Sequence, residues 1–271
     1  MDYLGRNDAP ISAELWQQID STVIENAKQH MVCRRFLNIY GPLGAGASYV
    51  AVDTAAKDES YEGNFARVTG RRLVELPQLY QDFNILWRDI ADADKTGFPV
   101  DLSAAAAAAQ RSAKQEDDLI LFGNKELGVE GLLNAEGAFK IKRGDWSTGE
   151  DAYKDVAHAI AYLSSHSMLG RYALVVSPDV YLELQRLQPN VGLLEIDRIK
   201  KLVNDRVYPA GPFGLGKAVL VCAEPQYMDL AVGMDLTVGY LGQADFNHPF
   251  RITETVALRI KNPAAIVVFE K

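Results

Sequence analysis

Cysteine is almost absent from this chain: of 271 residues, only Cys33 and Cys222 carry a thiol. Their separation gives neither metal-ligand nor redox spacing, which argues against a disulfide framework and leaves two buried thiols in a reducing compartment. Histidine is scarce too. His30, His158, His166 and His248 have no i, i+4 partner and no Cys or acid at ligand spacing, so no metal site is expected. No apolar run is long enough to span a bilayer: the alanines from Ala104 to Ala109 soon meet Arg111, Lys114 and the acids Glu116 to Asp118, and are read as helix, with no membrane contact. Basic charge is short, 28 Lys and Arg against 36 Asp and Glu for a net charge of −8. The pairs Arg34-Arg35, Arg71-Arg72 and Lys200-Lys201 stand isolated, which argues against a nucleic-acid grip built on counterion release and leaves them as solvated faces or intersubunit contacts. The chain does not open on a basic segment followed by an apolar core, so no secretory signal is read and cytoplasmic synthesis is expected.

Catalytic patterns are missing as well, and the chain is read as a non-enzyme. Gly44-Ala45-Gly46 and Phe213-Gly214-Leu215-Gly216-Lys217 complete neither GxxxxGK[ST] nor GxGxxG and are read as turns. Ser165-His166-Ser167 only superficially pairs a nucleophile with a base, because adjacent residues at a helix end point apart and no elbow motif surrounds them. The acidic run Glu116-Asp117-Asp118 is expected on a solvated or intersubunit helix face.

What is present is a full core, 48% of the residues being hydrophobic, and a distinctive order of elements. Ser12 is a plausible N-cap, Glu14 sits in the first helical turn, and Trp16, Ile19, Val23, Ala27 and Met31 recur at helical spacing. That apolar stripe needs a surface, either the chain's own domain or something beyond it. From about Asp53 to Leu76 the sequence is polar and Gly-punctuated, too thin in apolar residues to fold alone. A two-stranded arm reaching roughly 40 Å fits it, and such a hairpin needs a partner surface; a mobile loop is the plainer reading. Phe83, Ile85 and Trp87 alternate as one face of a strand. Asp101 or Ser103 caps a long helix to about Phe122, stopped by Gly123. A compact α/β unit follows, with a helix through Tyr153, Val156, Ile160 and Leu163, a buried strand Tyr172–Val176, a helix from Pro178 through Leu184 and Leu187, another helical period from Leu193 to Val203, and a second buried strand Ala218–Cys222. Strands close the chain, around Ile252–Ile260 and Ala265–Phe269.

Several motifs taken together resemble one family. Leu4, Arg6, Ala9 and Pro10, the helix with Trp16, Ile19 and Asp20, then Arg34, Phe36 and Gly41-Pro42, resemble the opening of the encapsulins, the linocin-like (family 1) shell proteins. Pro99-Val100-Asp101-Leu102-Ser103 before a long helix, then Glu116-Asp117, Phe122-Gly123 and Gly128-Val129-Glu130-Gly131-Leu132-Leu133, resemble the family's centre; Asp235-Leu236-Thr237-Val238-Gly239-Tyr240 and Ile252-Thr253-Glu254-Thr255 resemble its C-terminal part. The blocks occur in family order across essentially the whole chain.

The resemblance implies an α+β fold of HK97 capsid type: an N-terminal helix and start of the peripheral domain in 1–42, an extended loop in 43–76, the peripheral domain with its spine helix in 77–131, an axial domain in 132–226, and a return to the peripheral domain in 227–271. It implies identical subunits closing into an icosahedral nanocompartment in the cytoplasm. It also implies a cargo enzyme, such as a ferritin-like protein or a dye-decolourising peroxidase, carried inside by a short terminal tail; iron storage or oxidative stress would be the setting. By the same resemblance the tail's groove takes Ala27, Met31, Arg34, Asn38, Val238, Tyr240 and Ile252. Asn38 and Ala27 differ from the acid and the larger residue that several relatives carry. Ordinary packing of the helix on its own domain is the alternative for each. Gln188-Pro189-Asn190-Val191-Gly192 resembles a five-fold pore loop, which without charged side chains would gate by size; an ordinary turn is the alternative. Some encapsulins hold a flavin against an aromatic, which makes Trp87 the candidate stacking face; filling a subunit interface is its other reading. No other cofactor is implied. A phage major capsid protein is the rival of the same fold, and a secreted bacteriocin or protease the rival of a different class.

Overall fold

The computed structural model describes residues 3–188 and 192–270. In chain order the elements are α1 (Ala13–His30), β1 (Ile39–Tyr40), β2 (Tyr49–Glu62), β3 (Phe65–Glu75), β4 (Gln78–Ile85), α2 (Trp87–Thr96), α3 (Ser103–Phe122), β5 (Gly123–Asn124), β6 (Val129–Glu130), β7 (Phe139–Lys142), α4 (Asp151–Ser165), β8 (Tyr172–Val176), α5 (Pro178–Glu183), α6 (Glu195–Leu202), β9 (Val207–Pro209), β10 (Ala218–Cys222), β11 (Met228–Val232), β12 (Thr237–Tyr240), β13 (His248–Ile260) and β14 (Ile266–Glu270). Helices are interleaved with strands that pair mostly antiparallel, which is the α+β class expected.

Two five-stranded sheets organise them. In the first, β13 runs through the middle, antiparallel to β11 along its second half and flanked by β12 and β4 along its first, with β1 parallel to β11 at the edge. In the second, the order is β7-β14-β10-β8-β9, and its strands β8, β10 and β14 are continuously apolar because helices cover it. The final strand therefore joins the α/β unit: β14 pairs with β10 and β7, while the peripheral layer expected to hold all of 227–271 keeps the chain only through Ile260. Pairing to β10 buries Ile266 to Phe269, which a free edge would leave wet.

Helix α1 begins where Ser12 caps it, its Oγ accepting the Leu15 N–H at 3.1 Å. Its stripe of Leu15, Trp16, Ile19, Val23 and Ala27 is buried against α3 and the first sheet. Close approach to α3 is permitted by the small side chains Ala105, Ala108, Ala109 and Ala113, all without exposed surface. Three departures from the sequence reading have local causes. Trp87 does not continue β4; the strand ends at Ile85, Leu86 is the N-cap and Trp87 the first residue of α2, a helix with no fully buried side chain, whose Ile90 packs partly buried against the core. Helix α5 stops at Glu183, short of Leu187, which instead bridges to Leu194. Arg34, Glu116 and Asp117, expected on solvated faces, lie in or against the interior.

The arm is present as a β2–β3 hairpin. Val50, Val52 and Val74 anchor its base in the main core, but past Asp53 almost every residue is exposed, including Tyr61 and Phe65 at 76% and 81%. Register shifts between Asp53 and Asp58, where Gly70 at φ 70° faces the Lys57 backbone at a distance no Cβ tolerates.

Candidate functional site

The region around α1 is where the sequence concentrated its functional expectations. Residues 4–6 clip the helix to β12: the Leu4 carbonyl accepts the Tyr240 N–H at 2.7 Å, and Arg6 donates to both carboxylate oxygens of Asp20 and to the Val238 carbonyl. The same guanidinium stacks 4.0 Å above the Trp16 ring. Beneath, Trp16 meets Phe250 edge-to-face at 5.4 Å and Phe83 stacks on Phe250 at 5.3 Å.

At the other end of α1 the chain is held by carboxylates. Asp117 on α3 accepts the N–H groups of Val32 and Cys33, each at 2.9 Å. Burial pushes its carboxyl up to about 6 despite those two bonds, and burial with the nearby acid pushes the Cys33 thiol well up. Arg34 then donates to both oxygens of Glu116, to Glu254 at 2.9 Å and to Asp235 at 2.8 Å. Burial opposes the charge on Arg34, but the Glu116 and Glu254 carboxylates outweigh it and hold its pKa above the usual range. Glu116 and Glu254 have no exposed surface, and burial together with the charge of Glu116 lifts the Glu254 carboxyl well above its ordinary value. One Glu254 oxygen, Oε1, has no hydrogen-bond partner.

The expected groove residues are thus brought together only in part, and as core. Ala27, Met31, Val238 and Ile252 are between 0% and 4% exposed and pack in one cluster. Tyr240 is buried beside them, its hydroxyl 3.3 Å from His248 Nδ1. There α1 lies over the sheet and covers them. Arg34 does not stand free for an acidic tail, being committed to three carboxylates. Asn38 lies apart, donating to the Ala223 carbonyl next to β11. Glu116, Asp117 and Glu254 were missed as site residues. The helical period of Ala105, Ala109, Ser112, Ala113 and Ile120 carries the signal that could have placed Glu116 and Asp117 inside.

Two clefts flank α1. One, of about 780 Å³, opens at its C-terminal end between His30, Arg35, Arg111, Lys114 and the Pro209 and Pro212 segment. The other, of about 460 Å³, lies between the first turn of α1 and one side of α2 with the segment that follows it, and is lined by Ile11, Leu15, Ile90 and Phe98, with Glu14 and Asp94.

Elsewhere, Gln188 is buried and its amide donates to the Gly149 carbonyl, so it anchors the expected pore loop. Gly192 adopts φ 70°, and Pro189, Asn190 and Val191 lie outside the described residues. Trp87 is 43% exposed, with the Arg88 guanidinium 5.5 Å from its ring. Ser165 Oγ and His166 Nδ1 do come within 3.2 Å, closer than expected of adjacent residues, but both also engage the Tyr162 carbonyl, and no acid among the described residues orients the imidazole. No cluster of three or more metal-ligating side chains exists among the described residues, and no helix there is long and apolar enough to cross a membrane.

Residues 1–257 match the family model described as an encapsulating protein for peroxidase. The chain is 40% identical over 277 residues to the type 1 encapsulin shell protein EncA of Myxococcus xanthus, covering 99% of this chain and 96% of that one. It is likewise 40% identical to a diheme-cytochrome-encapsulin shell fusion protein of Kuenenia stuttgartiensis, covering 96% of this chain and 74% of the fusion. In three dimensions it is similar to the virus-like particle from Pyrococcus furiosus, with a TM-score of 0.78 at 23% identity over 95% of this chain and all of that one. The capsid subunit of the myovirus XM1 shares the fold at a TM-score of 0.62 and 15% identity, covering 99% of this chain and 98% of that one.

Proposed function

This chain belongs to the encapsulin family of shell proteins, and we propose that copies of it close into a hollow icosahedral compartment enclosing an enzyme brought in by a terminal tail. The observation that carries the reading is the arm. Phe65 and Tyr61 stand out in water on a hairpin that pairs with no further strand among the described residues, and a hairpin of this length is marginal alone. A neighbouring subunit supplies the missing surface. Contacts between different faces of identical copies, closed by rotation, make rings and, combined, a shell.

Cargo chemistry follows by analogy with relatives. The names of two of them join the shell to a diheme cytochrome or to a ferritin-like protein, which supports redox or iron-handling enzymes as contents here. The protein's own part is structural, and the cargo carries the chemistry. The compartment is proposed to be cytoplasmic, a reading supported by two buried, unpaired cysteines. Residues 188–192 are proposed as a pore loop that admits small solutes by size, with Gln188 holding its base. For a flavin, Trp87 offers one stacking wall with a cation beside it; the fit needs a second wall from a neighbouring subunit.

The competing reading is a DNA-filled capsid, because phage subunits share the fold. A net charge of −8 disfavours packing against phosphate. Electron microscopy of the protein expressed alone tests the proposal. Uniform hollow particles free of nucleic-acid absorbance are expected; a stable monomer at micromolar concentration, or particles that co-purify with DNA, would overturn it.

A further inference from the structure

We propose that the cleft at the C-terminal end of α1 binds a phosphorylated small molecule of about mononucleotide size, a function separate from shell closure. What marks the cleft is positive charge left unpaired. Arg35 comes from the turn after α1, and Arg111 and Lys114 come from neighbouring positions on one face of α3. Among the described residues none of the three forms an ion pair, whereas Arg34, Arg71, Arg251 and Arg259 each hold a carboxylate. Lys114 lies one turn from Asp118 and acts on it through charge alone, with no hydrogen bond.

Both arginines are held by neutral groups, which orient their charge without cancelling it. Arg35 donates from Nε to the Met31 carbonyl at 3.1 Å and from Nη2 to the Gln29 carbonyl at 2.7 Å. Arg111 donates from Nε to the Gln81 side chain at 3.2 Å and from Nη2 to the Asp82 carbonyl at 3.4 Å. Neither uses its Nη1 group on a partner among the described residues. The carbonyl end of α1 carries about half a negative charge, which the full charge of Arg35 more than offsets. Asp117, the one acid lining the cleft, is turned inward, both its oxygens accepting the N–H groups of Val32 and Cys33.

Charge, volume and wall chemistry decide the ligand. Cations with N–H groups to spare select an oxyanion, and phosphate offers them more charge and more acceptor oxygens than a carboxylate does. At about 780 Å³ the cleft lies within the roughly 300 to 1,000 Å³ of small-molecule sites and is much too large for a bare phosphate ion. Val32, Ala107, Pro209 and Pro212 make the remaining wall apolar, a surface for the organic body of the ligand. A long polyanion is the wrong partner, because these cations sit in one cleft and form no stripe across the subunit.

Isothermal titration of the purified wild-type protein in magnesium-free buffer tests the site, with ATP, adenosine and inorganic tripolyphosphate as probes. ATP is expected to bind saturably and about tenfold or more tighter than either other compound, since one lacks the phosphates and the other the organic body. Lys114→Gln combined with Arg35→Gln is expected to weaken ATP binding about tenfold or more, with particle size by light scattering unchanged. Lys114→Gln alone removes an exposed amine that has no hydrogen bond to lose, and weakened binding there keeps the test decisive should the double variant assemble poorly. Lys200→Gln with Lys201→Gln removes the same charge outside the cleft and is expected to leave binding as in wild type. Absence of saturable binding, adenosine or tripolyphosphate binding as tightly as ATP, wild-type affinity in the Lys114 variants, or an equal loss in the Lys200, Lys201 variant would overturn the assignment.

Discussion

Glu116 and Glu254 share one guanidinium: Arg34 reaches Glu116 at 2.6 Å and Glu254 at 2.9 Å, and neither carboxyl has any exposed surface. Two buried carboxylates beside one cation crowd negative charge in the interior, and burial together with the charge of Glu116 raises the Glu254 carboxyl well above its ordinary value.

A raised folded pKa fixes the sign of the pH dependence. The folded subunit binds the Glu254 proton more tightly than the unfolded chain does. The resulting stability is complete below the ordinary carboxyl value of 4.5 and is lost as pH rises through the folded one. Asp117, lifted from 3.8 to about 6, adds a loss of the same sign across that interval, on the order of 3 kcal/mol. Thermal midpoints of wild-type particles are expected to fall from about pH 5 to about pH 9, and those of Glu254→Gln, which cannot ionise, to fall less. Parallel curves for the two proteins would refute the raised Glu254 carboxyl.

Removing the cation tests the same knot from the other side. Arg34→Ala leaves Glu116 and Glu254 unpaired and is expected to cost about 3 to 5 kcal/mol, read as a lowered denaturation midpoint at fixed protein concentration. Arg34→Lys keeps the charge but loses the planar fork, and should fall between the two. An alanine variant as stable as wild type would mean the knot contributes nothing.

In the core beneath α1, Phe250 is enclosed between Trp16 and Phe83. Phe250→Ala should cost about 3 to 5 kcal/mol through the cavity it leaves and loosen the helix, so that amide hydrogen exchange in 13–30 rises. Exchange confined to the arm would place the weak point elsewhere.

For the arm, Phe65→Asp changes a side chain that touches almost nothing within its subunit. Circular dichroism is therefore expected to stay unchanged while particle formation falls at least tenfold by light scattering. Normal assembly would remove the arm from the intersubunit contact.

The alternation of apolar residues fixed much in advance. The Ser12 cap and the Trp16–Ala27 stripe specify α1, the alanines from 104 specify a helix able to pack closely, and the apolar strands of the α/β unit specify a buried sheet, because local periodicity and capping are properties of neighbouring residues. Poverty of apolar residues between Asp53 and Leu76 likewise marks the arm. Pairing partners were less legible: that β14 returns to β10, or that Trp87 opens a helix, depends on contacts between residues far apart in the chain.

Tertiary structure alone decided the roles of charge around α1. The sequence determines that Arg34, Glu116, Asp117 and Glu254 exist, and it offers a solvated surface as their natural home. Folding instead encloses them together, because the α1 turn, α3 and β13 converge on one point where each finds a partner of opposite charge or a free N–H. The same convergence buries Ala27, Met31, Val238 and Ile252 as core and leaves an open cleft at the other end of the helix, since whether an apolar side chain becomes a floor or a filling depends on what the rest of the chain lays over it.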